Sequence, residues 1–561
     1  MASEKLARNE QEILDRCVES LKAKKSLQAA KALFEALKAF RARDRQYIDG
    51  INKHFLQSFL RAAYQNRSLS VAVRNTLYGE YCRSLLLSAR DDFESFMLYT
   101  ESGRPFEEQF WTHRKKALRD IVNGFQEMAN GELDLLFVEL PPRVGKTTIA
   151  LWFTTWMGAR HPEVSNLLVG HSSALVKSFY EESETFIKDK KYKFFDVFPE
   201  LNGTMRTQAK DLNINLGREK RYKTLQFKSI DSAMSGVVEA SGVLVVDDII
   251  TGIEEALSPD RLDSKWMKLN TDVMQRRANS KVPMAMIGTP WAKGDPAERL
   301  YSLYKDDEKY RIRRIAVPAT DEEGHSNFNY NEELGIGFTD EFYRKQQETM
   351  DEISYKALYL LQRLDREGLL FDIDKFERFD KGKLNEEPKA IHTFCDVAWG
   401  GGDYLAMPFI YEYDDGLYLA DAVFNNKDKT ITKPIVAGRI QMHKCYEAEF
   451  EANNGGDEYA DDIGKTLAKD GFACRVYSTK SENGANAKVQ RIIKFSPEIQ
   501  KLKILHSEQR SQEYREFLNN VVTFNQNGKN KHDDAPDSLS CVFRRIMRPK
   551  KARVTIARRR F

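Results

Sequence analysis

Proline is missing from the first 104 residues of this 561-residue chain; the first is Pro105. Its absence leaves a long stretch without helix breakers. Within it, LQAAKALFEALKAFRARDRQYIDGINKHFLQSFLRAAY repeats apolar residues at three- and four-residue intervals. Residues 1–100 are therefore expected to form a helical region that serves packing or partner docking and carries no chemistry of its own. Cysteine is scarce: the six residues Cys17, Cys82, Cys395, Cys445, Cys474 and Cys541 show no CxxC spacing. That argues against a zinc site and for free thiols in a reducing compartment. No apolar run approaches the roughly 18 residues of a membrane span. The opening MASEKLARNEQEILD lacks the apolar core of a signal peptide. Large net charge is also absent, at +3, but its distribution is uneven. Nine Lys or Arg and no acid lie between Arg544 and Phe561, leaving the remainder at −6. Such a basic tail is a candidate for engaging phosphates or an acidic partner.

What is present is a succession of short, nearly continuous apolar runs, LDLLFVEL, SNLLVG, SGVLVVDD and VPMAMIGTP, separated by helical stretches such as SALVKSFYEESETFIKD. Continuous apolar strands alternating with helices imply a parallel sheet covered on both faces. Near residues 320 to 390 the pattern loosens and charge rises. A second αβ pattern begins at AIHTFCDVAWGGGDYLAMPFIYEY, where FIYEYDDGLYLADAVF reads as a hairpin closed at Asp-Gly.

The run LFVELPPRVGKTTIALWFTTWMGAR places Gly145-Lys146-Thr147-Thr148 between a strand and a helix. A phosphate loop needs that context: backbone N–H groups from the turn (Arg143, Val144, Gly145) and a helix N-terminus facing the phosphates. Lys146 is expected on the β/γ-phosphates and the Thr147 hydroxyl on Mg²⁺, with Thr148 beside it. The usual first glycine, five residues before Gly145, is Leu140. Downstream, GVLVVDDII ends a buried strand in Asp247-Asp248, at the sheet edge where α/β folds bind ligands. Asp247 would hold Mg²⁺ and Asp248 would polarise the attacking water. A third strand ends in Gly288-Thr289-Pro290, putting the Thr289 hydroxyl where it can sense the γ-phosphate.

These motifs resemble the large subunit of tailed-phage and herpesvirus DNA-packaging terminases, over most of residues 105 to 545. In that family the phosphate loop commonly lacks its first glycine and carries an arginine inside it. The resemblance thus makes Arg143 the candidate for stabilising charge on the transferred phosphoryl group. The sequence departs from the family at SAMSGVVEASG, which has no basic residue before the acidic strand. Arg218, Arg221 or a neighbouring subunit are other sources for that arginine. RPFEEQFWTHRKKALRD resembles the adenine-contacting segment, with Phe106, Gln109 and Trp111 near the base.

Further on, Asp396, Asp403, Glu451, Asp533, Asp534 and Asp537 stand at strand ends or a helix start. Among 84 acidic residues spacing alone defines no site. The resemblance implies an RNase H-like nuclease in which Asp396, Glu451, Asp533 and Asp534 hold two Mg²⁺ or Mn²⁺ ions, hard cations that prefer oxygen ligands. Asp396, Glu451 and Asp534 would be catalytic, Asp403 and Asp537 staying open as ligands, with Lys488 and Arg491 near the DNA backbone. The expected fold class is α/β: helical residues 1–100, an ASCE-type phosphate-loop ATPase over 101–365, a linker over 366–388, an RNase H-like nuclease over 389–546, and a basic tail over 547–561. The resemblance implies ATP and Mg²⁺ as cofactors. Double-stranded DNA, the procapsid portal protein, a small terminase subunit and further copies in a homo-oligomeric ring, a pentamer on the portal, would be its partners. The setting would be the bacterial cytoplasm, transiently on the procapsid and not in the mature virion. The alternative is a helicase or repair ATPase fused to an RNase H-like resolvase.

Overall fold

A computed structural model describes residues 6–217, 220–350, 352–364, 369–398, 403–480, 485–526, 530 and 532–547. Arg218 and the tail beyond Met547 lie outside the described residues. The chain divides into two compact units. The first holds Met1–Thr251, Asp263–Tyr343 and Leu358–Gln362; the second holds Gly252–Leu262, Arg344–Ala357 and Arg363–Phe561.

In the first unit eight strands form one sheet: β1 (Leu135–Glu139), β2 (Asn166–Gly170), β3 (Arg206–Gln208), β4 (Asn213–Asn215), β5 (Leu225–Ser229), β6 (Leu244–Asp247), β7 (Met284–Gly288) and β8 (Ile312–Ala316). Their order is β3-β4-β5-β2-β6-β7-β1-β8. The pairs from β5 through β8 are all parallel, and β3 and β4 add an antiparallel edge. β7 separates β1 from β6, the ASCE-type order. β1 and β2 are buried at every position, as expected for strands covered on both faces.

Helices fill the first hundred residues, from Arg8–Lys24 to Phe93–Glu101, and they belong to the first unit instead of standing apart. Side chains explain this. The helix Lys146–Arg160 is apolar nearly all round and almost wholly buried, so it needs cover on the face away from the sheet. Phe93 supplies it, 5.5 Å from the Phe153 ring and 5.2 Å from Trp156, while Trp156 Nε1 donates to Ala89 O. The buried Glu101 carboxylate caps the helix Phe110–Ala129 by accepting from the Phe110 and Trp111 amides. A small hairpin, β9 (Asn329–Asn331) and β10 (Ile336–Gly337), closes the unit.

The second unit is built on β11 (Arg378–Phe379), β12 (Ala390–Cys395), β13 (Leu405–Tyr413), β14 (Gly416–Asn425), β15 (Glu447–Glu451), β16 (Arg475–Thr479) and β17 (Lys503–Leu505), in the order β11-β17-β14-β13-β12-β15-β16. β12, β13 and β14 form an antiparallel meander, and β15 and β16 extend it in parallel beyond β12, the RNase H-like arrangement. The β13–β14 hairpin turns at Asp414–Asp415, with Tyr413 opposite Gly416. The segment expected to be a linker instead contributes β11, paired with β17. Gly252–Leu262 is held within this unit by Arg510, which donates to Glu254 at 2.6 Å, and by the Ser258–Asp374 bond.

Candidate functional site

Parallel register brings the C-terminal ends of three strands level: Glu139 lies beside Gly288 and Ile287 beside Asp247. The loop that follows β1 is a tight turn with two left-handed residues, Arg143 (φ 64°) and Gly145 (φ 110°). At Gly145 a side chain is excluded twice over, by φ and because a Cβ would stand 2.8 Å from the Phe110 ring. Leu140, in place of a first glycine, is fully buried and its amide donates to Gly288 O, so the position is a strand extension needing no special backbone.

Lys146 is buried and its Nζ lies 3.0 Å from both Thr289 Oγ1 and Asp248 Oδ2. Thr147 Oγ1 donates to Asp247 Oδ2 at 2.7 Å. Thr289 donates its amide to Asp248 Oδ1 and its hydroxyl to Leu140 O. The strand-end acids, the third-strand threonine and the loop thereby form one network. Asp248 has φ 44°, a costly conformation for a residue that is not glycine. Burial, then the neighbouring Asp248 charge, pushes the Asp247 carboxyl up to about 7 against Lys146 and Thr147. Its Oδ1 is buried without a hydrogen-bond partner among the described residues, a place where a hard cation fits beside the Thr147 hydroxyl. A cleft of about 370 Å³ opens over these groups, lined also by Arg143, Thr148 and Trp291. Arg143 is exposed at its mouth.

The structure adds residues that no sequence motif marked. His171, just after β2, lines the cleft, and its Nδ1 lies 3.0 Å from Asp248 O; since a carbonyl only accepts, that nitrogen carries the proton. Tyr330 on β9 donates its hydroxyl to Val144 O at 2.8 Å. The Arg114 guanidinium sits 4.4 Å from the Phe110 ring centre and 4.9 Å from that of Tyr330. Together they brace the outside of the loop. Of the expected base-contacting residues, Phe106 is exposed but Trp111 is fully buried, a core residue under the helix start that presents no face to a ligand. Gln109 is engaged locally, with Arg104 O and the Thr112 hydroxyl. Arg221 stacks on the adjacent Tyr222 ring.

In the second unit β12 and β15 pair in parallel with Cys395 beside Phe450, so Asp396 and Glu451 come level at the strand ends and share a hydrogen bond. The helix Asp534–Ile546 brings Asp534 and Asp537 to the same place one turn apart, with Asp533 just before it. Asn520 anchors that start: its amide donates to His532 O and accepts from Ala535 N. Tyr404 N donates to Asp534 Oδ2. Asp403 is exposed but close enough to raise Asp534.

At the centre lies Lys488. Its Nζ is 2.7 Å from Asp533, 3.6 Å from Asp537, and 3.7 Å from both Asp396 and Asp534. Arg491 points the same way and forks onto Asp537. The expectation for both is a place along the DNA backbone; the acid cluster instead draws them inward, because buried carboxylates need counter-charge. Burial raises Asp396 well above the usual carboxylate range, with Lys488 opposing and Glu451 and Asp534 adding. Burial likewise lifts Asp534 to about 6. Among the described residues no three His, Cys, Asp or Glu donors are yet drawn tightly enough to hold an ion; the ammonium lies between them. The donor set of Asp396, Glu451, Asp533 and Asp534 is nonetheless all oxygen, and three of its members, Asp396, Asp533 and Asp534, already face one cation, so it fits Mg²⁺ or Mn²⁺.

Fold and site together define a class: a two-unit α/β protein with a phosphate-loop network on a parallel sheet and a carboxylate cluster on an RNase H-like sheet. No family model and no curated protein matches the chain. Its neighbours among solved structures include large terminases of phages. The large terminase of a thermophilic bacteriophage, in complex with ADP, is 12% identical over 74% of this chain and 95% of that one, at a TM-score of 0.31. The HK97 bacteriophage large terminase is 10% identical over 76% and 93%, at 0.30. The P22 large terminase nuclease domain is 13% identical over 32% and 93%, at 0.22. No described helix is long and apolar enough to cross a membrane.

Proposed function

We propose that this chain is a terminase large subunit: an ATPase that drives double-stranded DNA into a viral procapsid, joined to a metal-dependent endonuclease that cuts the concatemer. The observation that carries the reading is the network joining Lys146, Thr289, Asp248, Asp247 and Thr147, three strand ends meeting one phosphate loop. ATP phosphates would lie along the N-terminus of the helix Lys146–Arg160, where amides and dipole favour anions. Lys146, which contacts Asp248 and Thr289, would turn to the β/γ-phosphates. Asp248 is then released to accept a proton from water, held in aim by the Thr289 amide. Thr289 touches both partners and so registers the change. Arg143, exposed at the mouth, would answer charge developing on the phosphoryl group. Thr147 and Asp247 would hold Mg²⁺, which when bound neutralises charge on the phosphate oxygens.

In the nuclease, Asp396, Glu451, Asp533 and Asp534 would hold divalent ions, which when bound supply an activated water and stabilise the departing 3′-oxygen. Lys488 must yield its central place for this. Arg491, fixed on Asp537, keeps that acid from competing. DNA, the portal, a small subunit and a ring of copies are the partners this reading requires. The test is packaging in vitro: the chain with purified empty procapsids, portal, ATP and linear duplex. Nuclease-protected DNA that depends on ATP supports the reading; ATP hydrolysis that duplex and procapsid leave unchanged, with no protected DNA, overturns it.

A further inference from the structure

Apart from both sites, the helical part of the first unit encloses a pocket of about 360 Å³. Four of its lining side chains are cationic, Lys53, Arg61, Lys115 and Arg119, and one is acidic, Glu94. Glu94 is already consumed: it lies 3.0 Å from Lys53 and 2.7 Å from Lys115. Although burial works against it, those two ammonium groups hold it down at about 2. Lys53 has a second acid in Asp92. Arg61 and Arg119 make no ion pair among the described residues, and each helps, after burial, to pull Lys115 below its usual value. A concave site thus gathers two arginines with no acidic partner among the described residues, Arg61 half-buried and Arg119 exposed, a local excess of positive charge that attracts an anionic ligand.

The wall carries a second signal. Asn52–Gln57 is a π-helical turn, a rare geometry that concentrates at functional sites, and it delivers Lys53 and His54 to the pocket. Asn123, from the helix Phe110–Ala129, adds an amide. The volume lies at the lower end of small-molecule sites, too small for a duplex about 20 Å across. Guanidinium forks match phosphate oxygens in pairs.

We propose that this pocket binds a small ligand carrying two or more phosphate groups, with Arg61 and Arg119 as its principal contacts. The inference is independent of the reading of the nucleotide cleft. The probe is inorganic tripolyphosphate, titrated calorimetrically into the full chain without divalent metal. One equivalent is expected in this pocket, and the proposed nucleotide cleft would add a second that the arginine variants leave untouched. Arg61→Ala/Arg119→Ala should lose one equivalent, or weaken it at least tenfold, while Lys146→Ala keeps it. Since two unneutralised cations leave, the unliganded double variant should melt no lower than wild type. Should it melt lower, Arg119→Glu alone, at an exposed position, gives the same reading with the fold intact. Unchanged stoichiometry and affinity in the arginine variants overturn the proposal. So does loss of binding to a 20-base-pair duplex with tripolyphosphate binding retained, which assigns the arginines to a nucleic-acid surface.

Discussion

The ammonium of Lys488 lies 2.7 Å from Asp533 and within 4 Å of Asp396, Asp534 and Asp537. One side chain thus supplies the positive charge that the carboxylate cluster requires when it holds no metal. Lys488→Gln removes that charge and keeps the length of the side chain. The metal-free variant should lose stability, up to the roughly 3–5 kcal/mol seen when one partner of a buried pair is deleted. It should also bind Mn²⁺ more tightly, because the ion no longer competes with an ammonium. Thermal melts with and without Mn²⁺, and calorimetric titration, measure both. Weaker Mn²⁺ binding would make Lys488 a support for the metal and not its rival.

The same cluster sets a pH dependence. Asp534 is lifted to about 6 and Asp396 is raised well above its usual range, both chiefly by burial. In the unfolded chain both titrate near 4, so between about 4 and 6 the metal-free native state binds more protons than the unfolded state. Stability from these groups is therefore present at low pH and lost as pH rises through the folded values. Metal affinity runs the other way, since ligands must shed protons to bind. Urea midpoints of the metal-free protein should fall across that window and Mn²⁺ affinity should climb; Asp534→Asn should flatten both trends.

Tyr330 donates to the carbonyl of Val144 in the phosphate loop. Tyr330→Phe removes that bond and nothing else, about 1 kcal/mol, or roughly fivefold. The loop carbonyl should then wander, raising the KM for ATP several-fold with kcat nearly unchanged. A fall in kcat at constant KM would place Tyr330 in the chemical step.

Much of this was legible in the sequence because it is local. Strand, turn and helix around Gly145 follow one another, and Asp247, Asp248 and Thr289 each end an apolar run, so their convergence follows from parallel topology. Lys146 and the two aspartates therefore stand out in the sequence alone. Tyr330 and His171 do not, since each acts through a single bond to a backbone carbonyl far away in sequence, and neither does Asn520, whose amide bridges the backbone of His532 and Ala535. Trp111 misleads for a related reason: an aromatic beside a helix start reads equally as a ligand contact or as core, and only burial separates them. Lys488 was visible as a basic residue, but its place amid four acids depends on three elements meeting. The N-terminal helices announced their periodicity but not their partner, the apolar helix Lys146–Arg160.

Asp248→Asn should slow ATP hydrolysis about 10²–10⁴-fold, the usual contribution of a general base, while nucleotide binding changes little. The cost belongs to the transition state. Stopped-flow binding alongside steady-state turnover separates the two, and a pure loss of affinity would reassign Asp248 to binding.

The proposed function assigns one chain two separable engines, one in each compact unit. Its most direct test crosses two variants with two assays: ATP hydrolysis, and cleavage of supercoiled plasmid with Mn²⁺. Lys146→Ala should abolish hydrolysis and leave cleavage largely intact. Asp396→Ala should abolish cleavage, which in the wild type should tolerate sequence and weaken steeply with salt, and should leave hydrolysis intact. Undiminished nicking by Asp396→Ala, or wild-type hydrolysis by Lys146→Ala, would contradict the account.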